Sequence, residues 1–132
     1  MIATPILTAI QNNENFSEIK SYEDHLLKDE HKYSFPYCVA YREHKDKIKD
    51  LDDGKKHWAY SIRIIFGFKS LESEQEKAET FDEYFENLVK SDPTFGRNFI
   101  ASTTTASDIY SEVSGANMYT YLEINLTAEV IK

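Results

Sequence analysis

The chain is short and acidic: it has 132 residues, of which 41% are hydrophobic and 14% aromatic, and a net charge of −8. Its length and composition predict one folded domain over residues 1–132. The acidity argues against a nucleic-acid-binding surface, because such surfaces are basic. No run of about 18 apolar residues occurs, which argues against a membrane-spanning helix.

The start of the chain predicts a short helix. Thr4 as the N-cap and Pro5 at the first helical position favour a helix over residues 3–12. The apolar stretch Met1–Ile10 lacks the basic region with which a signal peptide begins, and a polar stretch follows it. We therefore expect a protein of the cytoplasm.

A predicted strand and a charged loop follow. Pro36 favours extended backbone through Tyr41, and Cys38, the single cysteine, reads as a small buried hydrophobe within that strand. The segment Glu43–Lys56 has ten charged residues among fourteen. The segment has few apolar side chains, so their burial cannot offset the entropy lost when the backbone becomes ordered. We therefore expect a mobile loop at 43–56 that ends in a turn at Asp53 and Gly54.

Two long segments alternate apolar and polar residues, which is typical of strands with one buried face. They are residues 58–68 and residues 116–130. Between them, Ser73 and Glu76 predict a capping box, and a single apolar stripe predicts a helix over about residues 73–90. Two short strands, at residues 98–104 and 109–113, are expected before a hairpin turn at Ser114 and Gly115.

This order of elements predicts an α+β fold. We expect a mixed, mainly antiparallel sheet of long strands, with one face covered by the main helix and the short N-terminal helix. Tyr119 and Tyr121 lie on the polar face of the last strand, outside the predicted core. Tyrosine is favoured at protein interfaces, so both are interface candidates.

The sequence contains no convincing catalytic set. Glu23-Asp24-His25 and Asp29-Glu30-His31 combine metal-ligand residue types, but their spacing matches no known closed site. Asp50–Gly54 fails the calcium-loop pattern, because its glycine stands one position too early. We expect no catalytic residue, no cofactor and no metal; a small enzyme that holds a metal through His25, His31 or neighbouring carboxylates is a weaker alternative.

The layout of elements resembles the tail terminator, or tail-completion, proteins at the head-to-tail junction of long-tailed bacteriophages. The features that carry this resemblance are the short opening helix, Phe35–Tyr41 with the charged insertion after it, His57–Phe66, Glu79–Leu88 and Leu122–Val130. The resemblance covers most of the chain, although it is a pattern of elements and includes no signature motif.

The resemblance implies a structural protein of the virion, assembled in the bacterial cytoplasm. It implies a ring, commonly a hexamer, that ends the tail tube, contacts the tail-tube protein and the head connector, and lets DNA pass without binding it specifically. The expected interface consists of the charged loop and the two tyrosines: Lys45, Lys47, Ile48, Lys49, Leu51, Asp52, Asp53, Tyr119 and Tyr121. The alternative is a cytoplasmic adaptor or regulator that binds a partner through an exposed sheet edge.

Overall fold

The structure, a computed structural model, describes residues 2–27 and 33–132. Two helices and five strands make up most of this part of the chain. In chain order they are α1 (Thr4–Gln11), β1 (Ser21–Glu23), β2 (Tyr37–Asp50), β3 (Lys56–Ser70), α2 (Gln75–Ser91), β4 (Ala101–Ser114) and β5 (Asn117–Ile131), with a short 3-10 turn at Glu14–Phe16.

The strands form one sheet in the order β1-β2-β3-β5-β4. β1 pairs with β2 in parallel, and every other pairing is antiparallel. β3 and β5 pair from His57 opposite Ile131 to Ser70 opposite Met118, and they form the centre of the sheet. The predicted α+β fold with a mixed, mainly antiparallel sheet is confirmed.

The main core lies between the sheet and the two helices. The alternating residues of β3 and β5 point to this face, as the sequence pattern predicts, because a strand places every second side chain on the same side. They meet the buried stripes of α1 and α2. The buried residues of these four elements are Ile6, Leu7, Ile10, Tyr60, Ile62, Ile64, Phe66, Phe68, Ala78, Phe81, Phe85, Val89, Leu122, Ile124, Leu126 and Ala128.

The ends of the helices differ from the sequence prediction. The N-cap of α1 is Ala3, one residue before the predicted Thr4, and no side chain caps it. The N-cap of α2 is Glu74, so the capping box predicted from Ser73 does not form. Instead, the Glu74 backbone N–H donates to Oγ1 of Thr120 on β5 at 3.1 Å, which fastens the start of α2 to the sheet.

β4 is one continuous strand, so the prediction of two short strands at 98–104 and 109–113 was wrong. It pairs with β5 from Ala101 opposite Glu129 to Ser114 opposite Asn117, with a bulge between Thr104 and Ala106. Its small polar residues give no apolar alternation because the strand is mostly exposed. The predicted hairpin turn into β5 is confirmed, and Gly115 adopts a positive φ of 62° there.

The far face of the sheet carries a second apolar cluster, formed by Tyr37, Val39, Ile65, Tyr119 and Tyr121. Leu27, which follows β1, and Phe35, which precedes β2, pack against it. Tyr119 and Tyr121 are each only 5% exposed. The prediction that they lie outside the core was wrong, because the sheet buries apolar side chains on both faces at this end.

In the ranges 2–27 and 33–132, no helix has both the length and the apolar character needed to cross a membrane.

Candidate assembly surfaces

The charged segment predicted as a loop is instead a β-hairpin. β2 and β3 stay paired as far as Asp50 opposite Lys56, and Asp53 and Gly54 lie in the predicted turn. The loop prediction was wrong because backbone pairing with β3 holds this segment extended, although its side chains bury little. Every residue of β2 from Arg42 to Asp50 is exposed. We call residues 42–57 the β2–β3 arm.

The arm gathers seven of the nine predicted interface residues. Lys45, Lys47, Ile48 and Lys49 lie on β2, and Leu51, Asp52 and Asp53 lie in the turn. All except Leu51 are exposed. Tyr119 and Tyr121 are not part of this surface, because they pair with Lys69 and Gly67 towards the opposite end of β3.

Two ion pairs on the arm are local, while Glu43 pairs with Arg63 on β3 and His57 pairs with Glu129 on β5. Lys47 Nζ lies 3.1 Å from Asp50 Oδ2, and His44 Nε2 lies 2.9 Å from Asp46 Oδ1. These side chains are well exposed, and such pairs contribute roughly 0 to 1 kcal/mol to stability. The charges of the arm are therefore available to a partner at little cost to the fold.

The sheet has an open backbone edge on each side. β4 is the last strand of the sheet, and within the described residues its outer edge pairs with no other strand. β1 covers β2 only from Tyr37 to Val39, so the rest of the outer edge of β2 is also unpaired by any described strand. Unpaired N–H and C=O groups on such edges can accept a strand from another chain.

The two open edges differ in charge. β2 carries four cationic side chains, Arg42, Lys45, Lys47 and Lys49, and three carboxylates. β4 carries two carboxylates, Asp108 and Glu112, and no cation. β4 also has no proline or lysine, the residues that often block pairing at an edge, and its Val113 side chain is 72% exposed. The sequence alone does not indicate β4 as an interface, because its residues show no apolar alternation.

The first half of the alternative metal cluster, Glu23-Asp24-His25, comes together in the part of the chain that is described. Ligand atoms of Glu23, Asp24 and His25 lie within 4.8 Å of one another, and His25 Nδ1 is 3.2 Å from Asp24 Oδ1. The second half of the predicted cluster, residues 29–31, lies outside the described residues. His44 pairs opposite Ser61 and His57 opposite Lys49, so the arm does not bring these two histidines together.

Cys38 is fully buried in β2, as predicted, and burial raises the pKa of its thiol far above the ordinary value. A thiol that stays protonated is a poor nucleophile. We expect the native protein to react with a thiol reagent such as DTNB at least about a hundredfold more slowly than the urea-unfolded chain, because reaction requires opening of the core. Equal rates with and without urea would show that this strand opens freely.

No protein-family model and no curated protein matches this chain.

Proposed function

We propose that this protein is a ring-forming subunit of the head-to-tail junction of a long-tailed bacteriophage. In this role it ends the polymerisation of the tail tube and joins the tube to the head connector, in the neck of the virion. The observation that carries the proposal is a sheet with two open edges of different charge, β2 and β4. A subunit with two different, complementary edges can repeat around a closed ring.

The strand directions suit such a ring. β2 is antiparallel to β3, β3 to β5, and β5 to β4, so β2 and β4 run in opposite directions. When β4 of one subunit lies beside β2 of the next subunit in the same orientation, the new pair is antiparallel. The sheets of neighbouring subunits then continue into one another without reversing any subunit. At each such junction the acidic side chains of β4, which pair opposite Glu123 and Tyr119, lie on the same face of the sheet as Lys49 of β2, which pairs opposite His57.

The turn of the arm, residues 51–55, takes no part in the proposed pairing between subunits and can contact a different protein. We expect it to contact the tail-tube protein or the head connector. The predicted mobility of residues 43–56 stays a prediction, and limited trypsin digestion checks it, because the arm offers five exposed lysine or arginine residues before the turn ends: Arg42, Lys45, Lys47, Lys49 and Lys55. Cleavage there should be fast in the isolated protein and slow after the tail-tube protein is added.

The mass of the purified protein tests the ring directly. Native mass spectrometry over a range of concentrations should give a closed oligomer of the 15.4 kDa chain, with a hexamer expected, and negative-stain microscopy should show rings. If the subunit needs a partner to assemble, rings should form on addition of the tail-tube protein. A protein that stays monomeric under all these conditions contradicts the proposal.

Charge reversal on each edge tests which surfaces meet. Asp108→Lys with Glu112→Lys on β4 should weaken assembly at low salt by at least about tenfold, because like charges then face each other across the junction. Lys47→Glu with Lys49→Glu on β2 should do the same, and the four changes together should restore assembly.

The matched control for the β4 pair is Glu72→Lys with Glu79→Lys, which makes the same change in charge at exposed positions outside the two edge strands. This control should assemble normally. Failure of the four-fold variant to recover, with all variants folded by circular dichroism, would contradict pairing between β2 and β4.

A cytoplasmic adaptor is the second candidate, and the open edge of β4 supports it. Such a protein would accept one strand from a partner and would remain a monomer or form a symmetric dimer through two β4 edges. Native mass spectrometry distinguishes the two candidates, because an adaptor gives the mass of a monomer or dimer and a ring subunit gives that of a larger closed oligomer.

A further inference from the structure

A cavity of about 490 Å³ opens between the start of α1, the segment after β1 and the base of the arm. Three cationic side chains line it, Arg42 and Lys45 on β2 and Lys132 just after β5. Its volume falls within the range of about 300–1,000 Å³ that is usual for small-molecule sites.

The three cations surround one aromatic ring. The guanidinium carbon of Arg42 lies 6.0 Å from the centre of the Tyr60 ring, Lys45 Nζ lies 5.9 Å from it, and Lys132 Nζ lies 5.2 Å from it. Lys45 Nζ is also 4.2 Å from the centre of the Trp58 ring. This convergence occurs in a protein whose net charge is −8.

Among the described residues, these cations have no anionic partner within ion-pair distance. In residues 2–27 and 33–132, no carboxylate lies within 4.0 Å of the charged nitrogens of Arg42, Lys45 or Lys132. Asp24 also lines the cavity and brings one negative charge against the three positive ones. Contacts with aromatic rings stabilise a cation without neutralising its charge, so the cavity stays positive.

Tyr60, one of the residues that line the cavity, has a buried hydroxyl group with unmet hydrogen bonding. Tyr60 is 1% exposed, and its hydroxyl has no hydrogen-bond partner among the described residues. A buried donor without an acceptor is costly, and an anionic oxygen is a strong acceptor. The hydroxyl and the three cations therefore favour the same kind of ligand.

We propose that this cavity binds a small oxyanion, the phosphate or carboxylate group of a small molecule. The planar guanidinium of Arg42 can donate two parallel hydrogen bonds to such a group, while Lys45 and Lys132 act as point charges. Binding would relieve the mutual repulsion of the three cations. This site goes beyond the proposed ring and does not depend on it.

Trp58 is the single tryptophan of the chain and reports on the site, because Lys45 lies over its ring. Inorganic phosphate and citrate are titrated separately at constant ionic strength, with sodium chloride as the balancing salt. We expect a saturable change in fluorescence and a rise in melting temperature with at least one of them. The anion that acts at the lower concentration identifies the preferred group.

Three variants locate the binding. Arg42→Gln and Lys45→Gln should each weaken the affinity for the anion by about tenfold, the loss expected for one charge-assisted hydrogen bond. The affinity is measured from the dependence of the melting temperature on anion concentration. Lys69→Gln is the matched control: it removes one exposed lysine near the opposite end of β3, where it pairs opposite Tyr119, and should bind normally. Tyr60→Phe removes only the hydroxyl and should weaken binding about threefold to tenfold without lowering the melting temperature of the free protein.

Two results would overturn the proposal. One is a response to phosphate and citrate no larger than the response to sodium chloride. The other is an equal loss of binding in Lys45→Gln and Lys69→Gln. Either would mean that the cations serve only to pack against the aromatic rings.

Discussion

Replacing Phe81 with alanine is expected to lower the free energy of unfolding by about 3–5 kcal/mol, the usual cost of deleting a buried phenylalanine side chain. Phe81 lies on the buried face of α2 and is 2% exposed. Its ring centre lies 5.3 Å from that of Phe16, 5.5 Å from that of Phe66 and 5.2 Å from that of Phe68. One residue therefore joins the helix, the 3-10 turn and the central strand.

Urea unfolding followed by circular dichroism measures this loss. Leu71→Ala is the control, because Leu71 lies in the loop before α2 with 78% of its surface exposed and should change stability by less than about 0.5 kcal/mol. A loss below about 1 kcal/mol for Phe81→Ala would contradict the packing of α2 on this face, and with it the layer that positions both open edges.

Replacing Gly67 with alanine is expected to destabilise the protein by about 1–3 kcal/mol, the cost of overfilling a packed site. Gly67 lies on β3 directly opposite Tyr37 on β2. The ring of Tyr37 lies across the glycine, where an added methyl group would overlap it. Tyr37 cannot move away freely, because it is buried and its ring centre is 5.1 Å from that of Phe35.

A double-mutant cycle isolates this contact. Tyr37→Ala alone removes a buried ring and should also destabilise the protein. In the Tyr37→Ala background, however, Gly67→Ala should be nearly neutral or stabilising, because alanine suits a strand better than glycine does once the space is free. Additive losses in urea unfolding would show that the Tyr37 ring does not cover Gly67.

The long alternating strands were predictable because the signal is local. Ile62, Ile64, Leu122 and Ile124 alternate with polar residues, and only a half-buried strand gives that period. The arm could not be predicted in the same way. Residues 43–50 are extended because β3 lies beside them, and pairing between backbones leaves no pattern in the side chains of an exposed strand.

The second apolar cluster escaped prediction for a related reason. Tyr119 and Tyr121 share a strand face with polar neighbours such as Glu123 and Asn125, so the face reads as exposed. Burial comes from residues far away in sequence, Phe35 and Tyr37, that cover only one end of β5. The open edge of β4 is likewise a consequence of strand order, which no local pattern encodes.

The position of β5 has a consequence for biosynthesis. β5 is the last strand in chain order, yet it lies between β3 and β4 near the middle of the sheet. In a nascent chain, β3 therefore lacks its neighbour β5 until residues 117–131 have left the ribosome. The apolar side chains of β3 stay incompletely buried until then. The sheet can therefore be completed only after β5 has been made, and chains that stop before residue 117 should be targets for chaperones and proteases.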